Sequence, residues 1–182
     1  MLAYERFLAE NPGYRNKVAF LQVTPKSRSE VPEYTAMQKQ LAQTAGRING
    51  AYGEVDWTPI RYVNRVIGRQ TLAGLYRLSN VALVTPLRDG MNLVAKEFVA
   101  AQNPDDPGVL VLSRFAGAAH ELAGALIVNP YDLEATGEAI GRAIAMDREE
   151  RIARWRPMFE YLKAHDVGHW RDTFLAALEA SD

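Results

Sequence analysis

The chain contains no cysteine among its 182 residues, so neither disulfides nor thiolate metal sites are available to it. It also lacks an excess of charge of either sign. Its 21 Lys and Arg face 22 Asp and Glu, a formal net charge of -1. A surface built to hold a polyanion carries surplus cations, so neither nucleic acid nor an acidic membrane is expected as a partner. No apolar run approaches the ~20 residues that a bilayer-spanning helix needs. The opening stretch MLAYERFLAENPG is amphipathic and carries acids, unlike a secretion signal. G-x-G-x-x-G, the P-loop and G-x-S-x-G are all absent. Of the three histidines, His165 and His169 are four apart. Gly168 interrupts them and no third ligand stands out, so they read as a surface pair. His120 beside Glu121 lacks the second histidine of a zinc-protease motif. The expectation is a soluble, cytoplasmic globular protein.

The residues that are present build a sizeable core, with 48% of the chain hydrophobic. Short β-rich runs alternate with helical patterns. Strands are predicted over 17–25, 58–64, 80–86, 108–113 and 125–130. Helices are predicted over 29–48, 69–78, 92–102, 115–122, 133–146, 148–165 and 170–179, after an opening helix that stops at Asn11-Pro12-Gly13. Ser29 is the expected cap of the long second helix and Asn49-Gly50 its stop. Strands alternating with helices, and rich in Val, Leu and Ile, indicate an α/β fold with a doubly wound, mostly parallel sheet. The opening helix has no capping residue ahead of it. That fits either a frayed native terminus or a chain entered part-way through a helix.

Ligands of open α/β sheets bind beyond the carboxyl ends of the strands, and the unusual residues gather there. After the third predicted strand comes TPLRDGMNLVAKEFVAAQ, Thr85 to Gln102. Gly90 lets the backbone turn tightly or approach a ligand. The helix from about Asn92 offers free N–H groups at its positive end, a ready anion site. Asp89 lies just outside that helix and Glu97 about two turns inside it, so amides that hold phosphates would be flanked by two carboxylates able to hold sugar hydroxyls. Read blandly, Asp89 is a cap and Glu97 pairs with Lys96 or another neighbour. Lys26, Ser27 and Arg28 follow the first strand, where an arginine can hold a phosphate through two parallel hydrogen bonds or simply be solvated. Gly117, Ala118 and Ala119 after the fourth strand either let a ligand approach the backbone or allow close helix–sheet packing. Trp57, Trp155 and Trp170 read as packing residues.

The Thr85–Gln102 string strongly resembles the trehalose-6-phosphate synthase family, retaining glycosyltransferases with two Rossmann-like domains. The segments GVLVLSRFAGAAHEL, ALIVNPYD, AGRINGAYGEVDWTPIRYV and TPKSRSEVPEY resemble it too, in order and through essentially the whole chain. The resemblance implies transfer of glucose from UDP-glucose to glucose 6-phosphate, giving trehalose 6-phosphate and UDP with retention and no metal. It implies that Asp89 bonds the donor glucose hydroxyls, that Gly90, Met91 and Asn92 form the turn beneath the donor, and that the N–H groups of Leu93 and Val94 meet the diphosphate. Glu97 would hold the ribose and Arg28 the acceptor phosphate. Ile67 falls in the uracil pocket, where the family often has an aromatic. A front-side mechanism makes positioning and charge stabilisation the protein's main contribution. The resemblance places residues 1–182 in the donor-binding half, without its opening strand, without the upstream R-L-D-Y-x-K-G cations and without the N-terminal acceptor domain. The chain alone is then expected to bind UDP weakly and to be inactive. Relatives with another acceptor, or a non-catalytic nucleotide-binding module, are the alternatives. Homo-oligomer formation is left open.

Overall fold

The computed structural model describes residues 1–25 and 32–180. Arg28 and the expected Ser29 cap lie outside the described residues. The chain divides into two compact units.

The first unit comprises Met1–Leu72 and Leu133–Gly141. It opens with helix α1 (Leu2–Glu10), which the Asn11 N–H closes onto the carbonyl of Phe7 at 2.9 Å. Strand β1 (Phe20–Val23), helix α2 (Pro32–Tyr52) and strand β2 (Ile60–Val63) follow. β1 and β2 pair in parallel, Phe20 against Ile60 through Val23 against Val63. Asn49-Gly50 does not stop α2. The Asn49 side chain instead reaches the neighbouring strand, where its Nδ2 donates to the Ile60 carbonyl at 2.9 Å and its Oδ1 accepts the Ile60 N–H at 2.8 Å. The helix ends beside Gly53, where an added Cβ would overlap the Asn49 carbonyl. Phe7, Leu8, Ile48, Pro59 and Ile60 are among the fully buried side chains here.

Tyr4 joins that core. Its hydroxyl donates to the Val18 carbonyl at 3.2 Å, and burial pushes its phenol up to about 12. An unfolded tyrosine titrates near pH 10. The stability that comes from keeping Tyr4 neutral is therefore complete below about pH 10 and lost as pH rises toward about 12. Tyr4→Phe should abolish that part of the alkaline loss. Urea midpoints compared on either side of about pH 10 check it.

The second unit comprises Ala73–Asp132 and Arg142–Asp182. Helices α3 (Arg69–Leu78) and α5 (Leu133–Ala145) each have residues in both units. The strands are β3 (Val81–Val84), β4 (Val109–Ser113) and β5 (Leu126–Val128), parallel in the order β3-β4-β5. The sequence predicts one sheet; among the described residues the strands pair as two, and every pairing is parallel. All five residues of β4 are buried, as a strand paired on both edges in a parallel sheet should be. Helices α4 (Leu93–Ala101) and α6 (Arg148–Ala164) share a core with this sheet, in which Val84, Phe98, Leu110, Leu112, Leu122 and Trp155 meet.

α4 has no glycine after its last turn, so side chains take its orphan carbonyls. The Trp155 indole N–H donates to Val99 O at 2.9 Å, Gln102 Nε2 to Phe98 O at 3.1 Å, and Arg77 Nη1 to Ala101 O at 3.4 Å. The carboxyl end of α4 is thereby anchored, and its amino end faces the loops beyond the strands. α7 (Val167–Glu179) starts three residues earlier than the sequence predicts, because the Asp166 side chain accepts the His169 N–H at 2.9 Å and caps it. Trp170 departs from the packing expectation: it is exposed and stacks on Phe174.

Candidate functional site

The loop after β3 is zipped to the loop after β4. Asp89 forms an isolated parallel bridge with Ala116. The Asp89 N–H donates to Phe115 O at 3.1 Å, the Gly117 N–H to Asp89 O at 3.0 Å, and the Ala118 N–H to Met91 O at 2.7 Å. Because Ala116 is drawn into extended backbone (φ -91°, ψ 133°), the helix predicted over 115–122 shrinks to a 3₁₀ turn at Gly117–His120. At Gly117 a Cβ would overlap the Gly90 carbonyl. The small residue therefore lets the backbones of the two loops meet, a role distinct from the ligand approach or helix–sheet packing that the sequence suggested.

Gly90 is different. No glycine described here has a positive φ, and a Cβ on Gly90 would meet nothing within 4 Å. The left-handed residue of the turn is Asn92, at φ 87° and ψ 91°. Asn92 is also the cap of α4: its Oδ1 accepts the Ala95 N–H at 2.9 Å, while its Nδ2 donates to Asp89 Oδ2 at 2.9 Å. Asp89 Oδ1 accepts the Met91 N–H at 3.0 Å. Asp89 therefore orders the turn but does not cap the helix. The sequence signal for the true cap was the asparagine three residues before Ala95. Among the described residues no acceptor meets the N–H groups of Leu93 and Val94, and both residues are exposed. Open space over Gly90, two free amides at a helix start and a carboxylate held by two donors thus adjoin one another.

Glu97 lies one turn further along α4 and is exposed. Its neighbour Lys96 does not pair with it. Lys96 Nζ meets Glu121 Oε2 at 2.5 Å, tying α4 to the loop after β4. The contact recorded for Glu97 is the Tyr76 hydroxyl at 3.5 Å, too long for a strong bond. Burial, and then the Glu97 carboxylate, raise the Tyr76 phenol, which stays a neutral donor. Tyr76, on α3, is not among the residues that the sequence singles out. Ile67 lies half-buried in the segment between β2 and α3, in the first unit. Arg28 is outside the described residues.

The histidine pair has a packing explanation. His165 ends α6 and stacks on Tyr161 with centroids 3.9 Å apart, its Nδ1 lying 2.9 Å from Tyr161 O, and His169 meets it edge-on from α7. Among the described residues no three His, Cys, Asp or Glu side chains gather as a metal-ion site. No helix among the described residues is long and apolar enough to cross a membrane.

Parallel strands joined through helices, with a helix that starts beyond the carboxyl end of β3, define an α/β protein. The chain belongs to glycosyltransferase family 20, whose model matches residues 1–180. It is 64% identical over 179 residues to a trehalose-6-phosphate synthase of Sinorhizobium fredii, covering 98% of this chain and 39% of that protein. Among solved structures it is similar to a UDP-forming α,α-trehalose-phosphate synthase from Burkholderia xenovorans in complex with glucose-6-phosphate. That match has a TM-score of 0.95 and 52% identity over 98% of this chain and 40% of the other. It is similar also to the E. coli protein bound with UDP-2-fluoro glucose, with a TM-score of 0.95 and 50% identity over 97% and 39% of the two chains. The chain thus spans about two fifths of the length of these relatives.

Proposed function

We propose that the chain is the donor-binding part of a retaining glycosyltransferase that moves glucose from UDP-glucose to the anomeric hydroxyl of glucose 6-phosphate, giving trehalose 6-phosphate and UDP. The observation that carries this reading is the amino end of α4, with unpartnered Leu93 and Val94 amides flanked by the ordered Asp89 carboxylate and the exposed Glu97. The amides and the helix dipole would take the diphosphate and stabilise the charge that builds on it as the glycosidic bond breaks. Asp89 would fix the glucose hydroxyls, Glu97 the ribose and Ile67 the base, with Gly90 and Met91 shaping the floor of the donor site. Arg28 would take the acceptor phosphate. The reading assigns no metal, nucleic acid or membrane to the reaction. It places the chain in the cytoplasm, because phosphorylated sugars do not cross a bilayer unaided. Family membership and relatives bound to glucose-6-phosphate and to a UDP-glucose analogue support it. Turnover by this chain alone is not expected, since it spans about two fifths of those relatives.

Calorimetric titration with UDP tests the donor assignment. Glu97→Ala should weaken UDP binding by about tenfold, the worth of a charged hydrogen bond to a ribose. The fold should be unchanged, because Glu97 is exposed. Absence of UDP binding at millimolar ligand, or a Glu97→Ala titration identical to wild type, contradicts it.

A further inference from the structure

The Asn92 side chain performs two tasks at once. Its oxygen caps α4 through the Ala95 N–H, and its amide nitrogen donates to Asp89 Oδ2. A cap needs only an acceptor, which Ser, Thr or Asp supplies equally well. A donor to a neighbouring carboxylate is a separate requirement. Aspartate at this position would set a second negative charge against Asp89, and the hydroxyl of serine sits a bond nearer the backbone. The backbone here is also held at φ 87°, a region uncommon for any residue but glycine and tolerated best by Asn and Asp. Glycine would suit that φ, yet the chain carries its glycine two residues earlier, at Gly90, where no positive φ calls for one. The side chain at Asn92 thus answers a need other than backbone geometry.

We propose that Asn92 is a positioning residue, whose amide holds the Asp89 carboxylate in the rotamer that faces the sugar of the bound donor. The inference rests on the reading of this loop as a nucleotide-sugar site. A free aspartate samples several staggered χ1 wells. Donors from Met91 N–H and Asn92 Nδ2, one on each carboxylate oxygen, select a single well and leave further lone pairs for ligand hydroxyls. Asn92 then acts on the glucose through Asp89 and leaves the nucleotide to the amides and Glu97.

The test uses the chain with Asn92→Gly and Asn92→Ser. In the ligand-free protein, three-bond NMR couplings report the Asp89 χ1 angle and hydrogen exchange reports the Ala95 amide. Wild type should show one Asp89 rotamer. Both variants should show averaging, while Asn92→Ser keeps the Ala95 protection that a cap provides. Calorimetry should then show UDP-glucose affinity falling about tenfold in both variants, with UDP affinity changing less than about twofold. A single retained Asp89 rotamer in both variants overturns the inference, as does an equal loss of UDP and UDP-glucose. Should wild type bind neither ligand, the donor reading fails on its own and the rotamer measurement still decides whether Asn92 positions Asp89.

Discussion

Trp155→Ala lowers the stability of the second unit by about 3–5 kcal/mol, as expected for removing a large aromatic from a packed core. Trp155 stacks on Phe159 with centroids 4.8 Å apart and sits among Phe98, Leu110 and Leu122. Its indole N–H also holds the Val99 carbonyl, one of the orphans at the end of α4. Trp155→Phe separates the two contributions: most of the packing stays and the hydrogen bond is lost, at a cost of about 1–2 kcal/mol. Urea unfolding followed by far-UV circular dichroism gives both numbers. A Trp155→Ala midpoint equal to wild type would mean that α4 is not anchored from its carboxyl end.

Gly117→Ala is expected to abolish donor binding. A Cβ there overlaps the Gly90 carbonyl and comes within 3.3 Å of the Met91 Cα, so backbone must move and the three hydrogen bonds joining the two loops cannot all survive. Overpacking of this kind costs about 1–3 kcal/mol. The larger effect is on the site, since the Asp89–Asn92 turn is built on that zipper. Gly90→Ala is the control with the opposite profile. Its Cβ meets open space and its φ is not positive, so the free chain should be as stable as wild type or slightly more so. The same methyl group would occupy the space assigned to the donor, and UDP-glucose binding should fall. If Gly90→Ala binds normally, the open space over Gly90 is not the donor site. Thermal melts beside calorimetry on the two variants give this comparison.

The regular elements were legible because their causes are local. The run in β4 is apolar because both faces of this central parallel strand are covered, and α3 falls on the predicted Arg69–Leu78 because Leu72, Leu75 and Tyr76 share a helical face. The elements misplaced are those decided by distant partners. Asn49-Gly50 reads as a stop until the Ile60 backbone, eleven residues on, takes the asparagine side chain. The stretch from Phe115 reads as helix until Asp89 pulls Ala116 into a bridge. At the site, Asp89, Asn92 and Glu97 stand out in the sequence by their place around a helix start. Their local division of labour was not visible, because which side chain caps α4 depends on a backbone angle at Asn92 that composition does not encode. Lys96 and Glu97 are adjacent in sequence, yet a helix turns successive residues about 100° apart, so Lys96 reached Glu121 instead.

Whether the start of α4 holds a diphosphate is read most directly from a ¹⁵N-labelled titration of the chain with UDP, followed amide by amide. With the diphosphate seated at the start of α4, the Leu93 and Val94 N–H resonances move furthest and downfield as each gains a phosphate acceptor, with Glu97 shifting alongside. Saturating UDP that leaves those two amides in place, or that moves instead the polar cleft lined by Arg77, Asn80, Asp106 and Arg151, would contradict it.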